Sequence, residues 1–229
     1  MGGGRGFRTG ASMRRRLAAG VCARYAAPRM IVVLGRPRAA RFSPLSDGTT
    51  PVPAGMSVAI AGAAVAAGAR VELVGSIGDD DAGDAVVVGL ARARIGHAAL
   101  LRDPEAATPG LDTPPEALPR LEGADVELGL GYLADFRVVL LAEPLEPGAE
   151  TAAIDGATFH GAHIVAIQRA GTTPSERLAA VATVLEAPID DGGAFEALVG
   201  RFAAELERGV TAAEGFAHAT VATGWEHTA

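Results

Sequence analysis

The sequence contains no lysine and no asparagine, and it has one cysteine and one tryptophan in 229 residues. A single thiol, Cys22, rules out a disulfide framework and fits a reducing cytoplasm. No uninterrupted apolar run reaches the ~18 residues of a membrane helix. The nearest stretch, VAIAGAAVAAGARVELVG, divides into a small-residue helix and a strand. No segment forms a Walker A phosphate loop or a Gly-x-Ser-x-Gly elbow. His97, His160, His163, His218 and His227 lack zincin spacing. His160 and His163 stand three apart with no nearby cysteine or third ligand, so no metal centre is expected.

What is present is alanine, glycine and arginine, in proportions that suggest a GC-rich coding bias. Ala or Gly frequency therefore carries little structural weight. The hydrophobic share is 49% and the mean hydropathy +0.25. A chain of this length buries roughly 70% of its unfolded surface, enough for one sizeable core. The net charge of −7 conceals segregation: residues 1–46 hold ten Arg and no acid. The rest holds the other ten Arg and all 27 acids, a balance of −17. An acidic body disfavours nucleic acid and anionic membrane as main partners. Residues 1–29 read as a disordered Arg/Gly-rich leader and residues 30–229 as the folded domain.

Short β-branched runs alternate with helical patterns. Strands are expected at 31–35, 70–78, 136–144 and 161–171. Helices are expected at 56–68, at 79–96 with acids in the first turn, at about 194–209 and at 211–224. Residues 102–125 read as a Pro-rich loop or flap, and 176–187 fits helix and strand alike. The alternation implies an α/β fold with a mostly parallel sheet covered on both faces.

The stretch DDGGAFEALVGRFAAELERG places two acids, two glycines and Glu196 at one helix start. A helix N-terminus gathers unpaired N–H groups and attracts anions. Glu196 there is either a base beside a bound phosphate or a glutamate favoured by the helix dipole. Asp190 and Asp191 are helix caps on both readings. Asp79, Asp80, Asp81 and Asp84 are either solvated caps or cation ligands.

Three segments in order resemble the PfkB, or ribokinase-like, carbohydrate kinases. The first, residues 54–96, matches the family's N-terminal signature at Gly55, Gly68, Gly75, Gly78, Asp79, Asp80 and Gly83. The second, residues 122–146, resembles the strand that ends in a glutamate near proline, with Glu143 in that place. The third is the acid–glycine stretch. The family's Asp-Thr-Thr-Gly-Ala-Gly-Asp falls without a gap on Asp190 to Glu196, with Gly193 and Ala194 matching and Glu196 where the catalytic Asp stands. Phe195 replaces the second glycine, and the N-terminal Asn falls at Ala59. The aspartate after the first strand has no counterpart. The chain is shorter than typical members.

The resemblance implies a three-layer αβα ribokinase-like fold with a reduced lid. It implies ATP-dependent phosphoryl transfer to a sugar or related alcohol, with ATP and Mg²⁺ as cofactors and a location in the cytoplasm. Glu196 is then the catalytic residue. Gly192, Gly193, Ala194 and Phe195 form the anion hole, and Gly55, Asp79 and Asp80 contact substrate. The replacements weaken the expectation of catalysis. The alternative is a catalytically dead binding or regulatory module, and the resemblance leaves room for a homodimer.

Overall fold

The computed structural model describes residues 29–40, 50–189 and 192–225. Most of the expected leader, with Asp190 and Asp191, lies outside them. Six parallel strands form the central sheet: β1 (Met30–Leu34), β4 (Arg70–Gly78), β5 (Gly96–Asp103), β6 (Phe136–Leu141), β7 (His163–Arg169) and β8 (Ala182–Ala187). Their spatial order is β5-β4-β1-β6-β7-β8. The chain winds outward from β1 in one direction, then returns at β6 and winds outward in the other. The neighbouring pair β1/β6 is thus the topological switch point. A crevice opens there at the carboxyl ends of the strands in folds of this class. The lid is reduced to a second sheet of two three-residue antiparallel strands, β2 (Arg38–Ala40) and β3 (Val52–Ala54).

Strand side chains alternate between faces, and the core divides accordingly. Ile31, Val33, Leu73, Val138 and Leu140 face one helical layer. It is built from α1 (Met56–Ala66), α2 (Asp81–Arg92), α6 (Ala194–Glu207) and α7 (Ala212–Thr223). Met30, Val32, Leu34, Val139 and Leu141 face the other. That layer holds α3 (Gly123–Tyr132), α4 (Pro147–His160) and α5 (Glu176–Val181). The three-layer αβα arrangement expected from the resemblance is present.

Several boundaries differ from the sequence reading. The helix expected over 79–96 ends at Arg92, where Arg94 turns into the left-handed region with φ 60°. Gly96 then begins β5, a strand the reading lacked. A side chain there would collide with the Glu72 carboxylate, 2.2 Å from the position of a Cβ. The 102–125 segment is more than a flap: it completes β5, forms a 3-10 turn at Pro115–Ala117 and delivers Leu121 to the core. The ambiguous 176–187 stretch is both things in turn, α5 followed directly by β8. Among the described residues, no helix is long and apolar enough to cross a membrane.

α1, between β1 and β4, runs antiparallel to the strands and begins at the carboxyl edge of the sheet. α6, after the last strand, runs parallel to α1, with Gly200 against Ile60 and Ala64 and Arg208 at Ala67, and begins at the same edge. They also lie against each other. A Cβ on Gly200 would stand 2.6 Å from both the Ala63 Cβ and the Ile60 carbonyl oxygen. Backbone crowding of that kind has no soft side chain to yield. Gly200→Ala is expected to lower stability by about 1–3 kcal/mol through overpacking. Gly62→Ala, on α1 with open space around it, should instead add up to ~1 kcal/mol through helix propensity. Urea midpoints at constant m-value compare the two.

Candidate active site

The strand ends at the switch point carry an ion pair. β1 runs out through Gly35 into Arg36, and β6 through Ala142 into Glu143. The Arg36 amide and its Nη1 both donate to Glu143 Oε1, at 2.9 and 3.0 Å. Arg36 Nε donates to the Pro119 carbonyl at 2.6 Å. The Arg36 side chain is 9% exposed, so its charge is balanced at close range by one carboxylate. Burying a charge is tolerable only with such pairing.

A cavity of about 190 Å³ opens beside this pair. Its walls include Arg36, Glu143, Ser57, Gln168, Arg38 and Arg169. Ser57 lies in the first turn of α1 and is 3% exposed. Its Oγ is buried without a hydrogen-bond partner among the described residues. Arg38 reaches from β2 to the loop after β5, where its Nη1 donates to the carbonyls of Gly110, Leu111 and Thr113 at 2.9–3.2 Å. The sequence reading did not single out Arg36, Ser57 or Arg169. The signal available was position alone: each falls just past a strand end, at one, or just inside a helix start.

The helix start at Gly193 lies on the same edge. Gly192 and Gly193 take φ of 64° and 89°, and nothing lies within 4 Å of where their side chains would be. Gly193 is the N-cap residue of α6, and its carbonyl accepts from the Ala197 amide. Ala194 is the first helical residue. Phe195 turns its ring inward: it is 4% exposed and packs on Trp225 with ring centroids 6.0 Å apart. The ring therefore does not obstruct the glycine turn. Glu196 is half-buried, and its Oε2 is fully covered with no hydrogen-bond partner among the described residues. A buried carboxylate oxygen in that state lacks the donor that would offset its desolvation.

Gly55 precedes α1 with φ 90°, and a Cβ there would stand 3.2 Å from the Arg38 Cγ. Asp79 is exposed and lies 3.5 Å from Arg102. Asp80 caps α2. Its Oδ1 accepts from the Gly83 amide at 2.8 Å and from the Thr108 hydroxyl at 2.6 Å, and its Oδ2 accepts from the Thr108 amide at 2.9 Å. The fold thus brings Gly55, Asp79, Asp80 and the 192–196 turn to one edge, with both Asp80 oxygens held by protein donors. Among the described residues, no three His, Cys, Asp or Glu side chains cluster closely enough to hold a metal ion.

Comparison with known proteins gives the fold a class. No family model matches the chain, and no curated protein matches it by sequence. Solved structures do. Aminoimidazole riboside kinase from Salmonella enterica is 15% identical, with TM-score 0.59 over 88% of this chain and 94% of that one. Phosphofructokinase-2 from Escherichia coli, in complex with fructose-6-phosphate, is 12% identical, with TM-score 0.56 over 86% and 93%. An Escherichia coli protein provisionally assigned as ribokinase II, in complex with ATP and Mg²⁺, is 14% identical, with TM-score 0.60 over 83% and 90%. The chain has the ribokinase-like fold of the PfkB carbohydrate kinases.

Burial tends to raise the Asp80 pKa, but the Thr108 hydroxyl and amide, the Gly83 amide and the Arg102 charge outweigh it and hold the carboxyl below its ordinary 3.8. A depressed folded-state value contributes stability above the unfolded pKa, and that contribution is lost as pH falls through the folded one. Asp80→Ala is expected to cost about 1 kcal/mol at pH 7. The gap to the parent should narrow below pH 3.8, as thermal melts across an acid series would record. Glu143→Ala leaves Arg36 buried and unbalanced and should cost about 3 kcal/mol, measured by the urea midpoint.

Proposed function

We propose that the chain is an ATP-dependent kinase related to the PfkB family, which transfers a phosphoryl group to a hydroxyl of a small sugar-like alcohol. The observation that carries this reading is Glu196, in the first turn of the helix that Gly193 caps, whose buried Oε2 has no hydrogen-bond partner among the described residues. Phosphoryl transfer needs a positively polarised cradle for the phosphate and a base for the alcohol. The α6 N-terminus fits the first requirement, since two glycines at positive φ let a ligand approach the backbone closely. Glu196 fits the second.

Two structural neighbours, one in complex with ATP and Mg²⁺ and one with fructose-6-phosphate, support nucleotide and sugar-phosphate ligands for this chain. ATP, when bound, supplies the phosphoryl group and brings its metal ion. The protein holds the phosphate end at residues 192–195. It places the acceptor in the cavity against Ser57, Gln168 and Glu143. Glu196 would accept the proton of the acceptor hydroxyl as that oxygen bonds to the γ-phosphorus and the bond from that phosphorus to the bridging oxygen breaks, with ADP as the leaving group.

The test is ³¹P NMR of purified protein with ATP, Mg²⁺ and a panel of sugars, sugar derivatives and nucleosides. Transfer is expected, and Glu196→Gln should reduce kcat by about 10²–10⁴-fold with the fold intact. Turnover no higher than that of the Glu196→Gln protein overturns the reading.

A further inference from the structure

The cavity at the switch point carries charge that phosphoryl transfer alone does not require. Three arginines line it, Arg36, Arg38 and Arg169, against one acid, Glu143. Glu143 is committed to Arg36. The partners of Arg38 Nη1 are backbone carbonyls, which offset no formal charge. Arg169 ends β7 with an exposed side chain, and no ion pair involves it among the described residues. Among the described residues, no acid pairs with Arg38 or Arg169, and both line the cavity. In its wall, the Ser57 hydroxyl is buried with no hydrogen-bond partner among the described residues, a condition that a ligand oxygen would relieve. Gln168, 8% exposed, lies beside it.

We propose that this cavity binds a small polyhydroxylated anion, with a carboxylate or phosphate held by Arg169 and Arg38 and a hydroxyl held by Ser57 Oγ. A volume near 190 Å³ suits a single sugar-sized molecule rather than a polymer. That the anion is also the phosphoryl acceptor rests on the kinase reading; that it binds does not. Arg169 and Ser57 are then the residues that set specificity, Arg169 for charge and Ser57 for the hydroxyl pattern.

The experiment is isothermal titration calorimetry on the full chain without nucleotide, using D-gluconate, D-glucose 6-phosphate and D-glucose. At least one anion is expected to bind tenfold or more tightly than glucose, with affinity falling as salt is added. Preference for gluconate assigns the charge to a carboxylate, and preference for glucose 6-phosphate assigns it to a phosphate. Arg169→Gln, an exposed substitution that leaves packing untouched, should abolish the preference. Ser57→Ala should weaken binding by roughly tenfold, the effect of one hydrogen bond, without lowering the melting temperature, because it removes an unsatisfied atom. Equal affinity for glucose and both anions, no binding of either anion, or a preference that survives Arg169→Gln each overturns the proposal. Anion binding without transfer from ATP would sink the kinase reading and leave this one standing. Transfer to neutral sugars with no anion preference would do the reverse.

Discussion

The approach of α6 to α1 fixes the geometry of the whole functional edge. Gly200 lets the two helix backbones meet where any side chain would hold them apart. At the far end, the Arg208 guanidinium donates to the Ala67 carbonyl, so the last turns are tied as well. With both helices locked in parallel against the same face of the sheet, their first turns have no independent freedom. Ser57 on one and Glu196 on the other are carried to the same edge. A rigid pair of helix starts is a better support for converging polar groups than a loop, because each rotamer is constrained by packing.

The second constraint lies across the switch point. β1 and β6 are neighbours in space, but Arg36 and Glu143 are 107 residues apart in the chain. Their pairing joins the two outward-winding halves of the sheet at the floor of the crevice. A buried pair of this kind is not itself strong evidence of stability, since desolvation offsets much of the attraction. Its consequence is chemical. The aspartate that follows the first strand in the PfkB pattern has no counterpart here, and Arg36, just past β1, occupies the glutamate at the end of β6. The cavity beside the pair is lined by three arginines and one acid.

The sheet was legible because parallel strands buried on both faces must be continuous β-branched runs, and MIVVL, RVELVG and FRVVLL are such runs. β5 was not legible. Its sequence, GHAALLRD, has neither a β-branched residue nor alternation, and its strand state is imposed by pairing with β4. The α4 helix carries apolar alanines too small to mark a clear face. At the site, the helix start at residue 194 and the glycine turn were visible from residue types that only a turn tolerates. The cavity was not, because Arg36, Ser57 and Arg169 are brought together by strand order, and strand order is not written locally. Proximity across the switch point appears only when β6 is placed beside β1.

The replacement of glycine by Phe195 looked damaging from sequence, and the backbone shows why it need not be. Positive φ is required at Gly192 and Gly193, both of which remain glycine. Phe195 is already the second residue of α6, where the backbone is helical and any L residue fits. Its ring goes down into the core, where it closes on Trp225 from the C-terminal end of the chain. The bulk that seemed to block the turn therefore anchors it. The same logic bears on Glu196. A longer side chain than aspartate would sample more rotamers on a mobile turn. Here the adjacent residue is pinned, the helix is packed on α1, and one carboxylate oxygen is already shielded from water. The extra methylene is then a fixed displacement of the carboxylate rather than a loss of order, and on the kinase reading proposed above it shifts where an acceptor hydroxyl must sit.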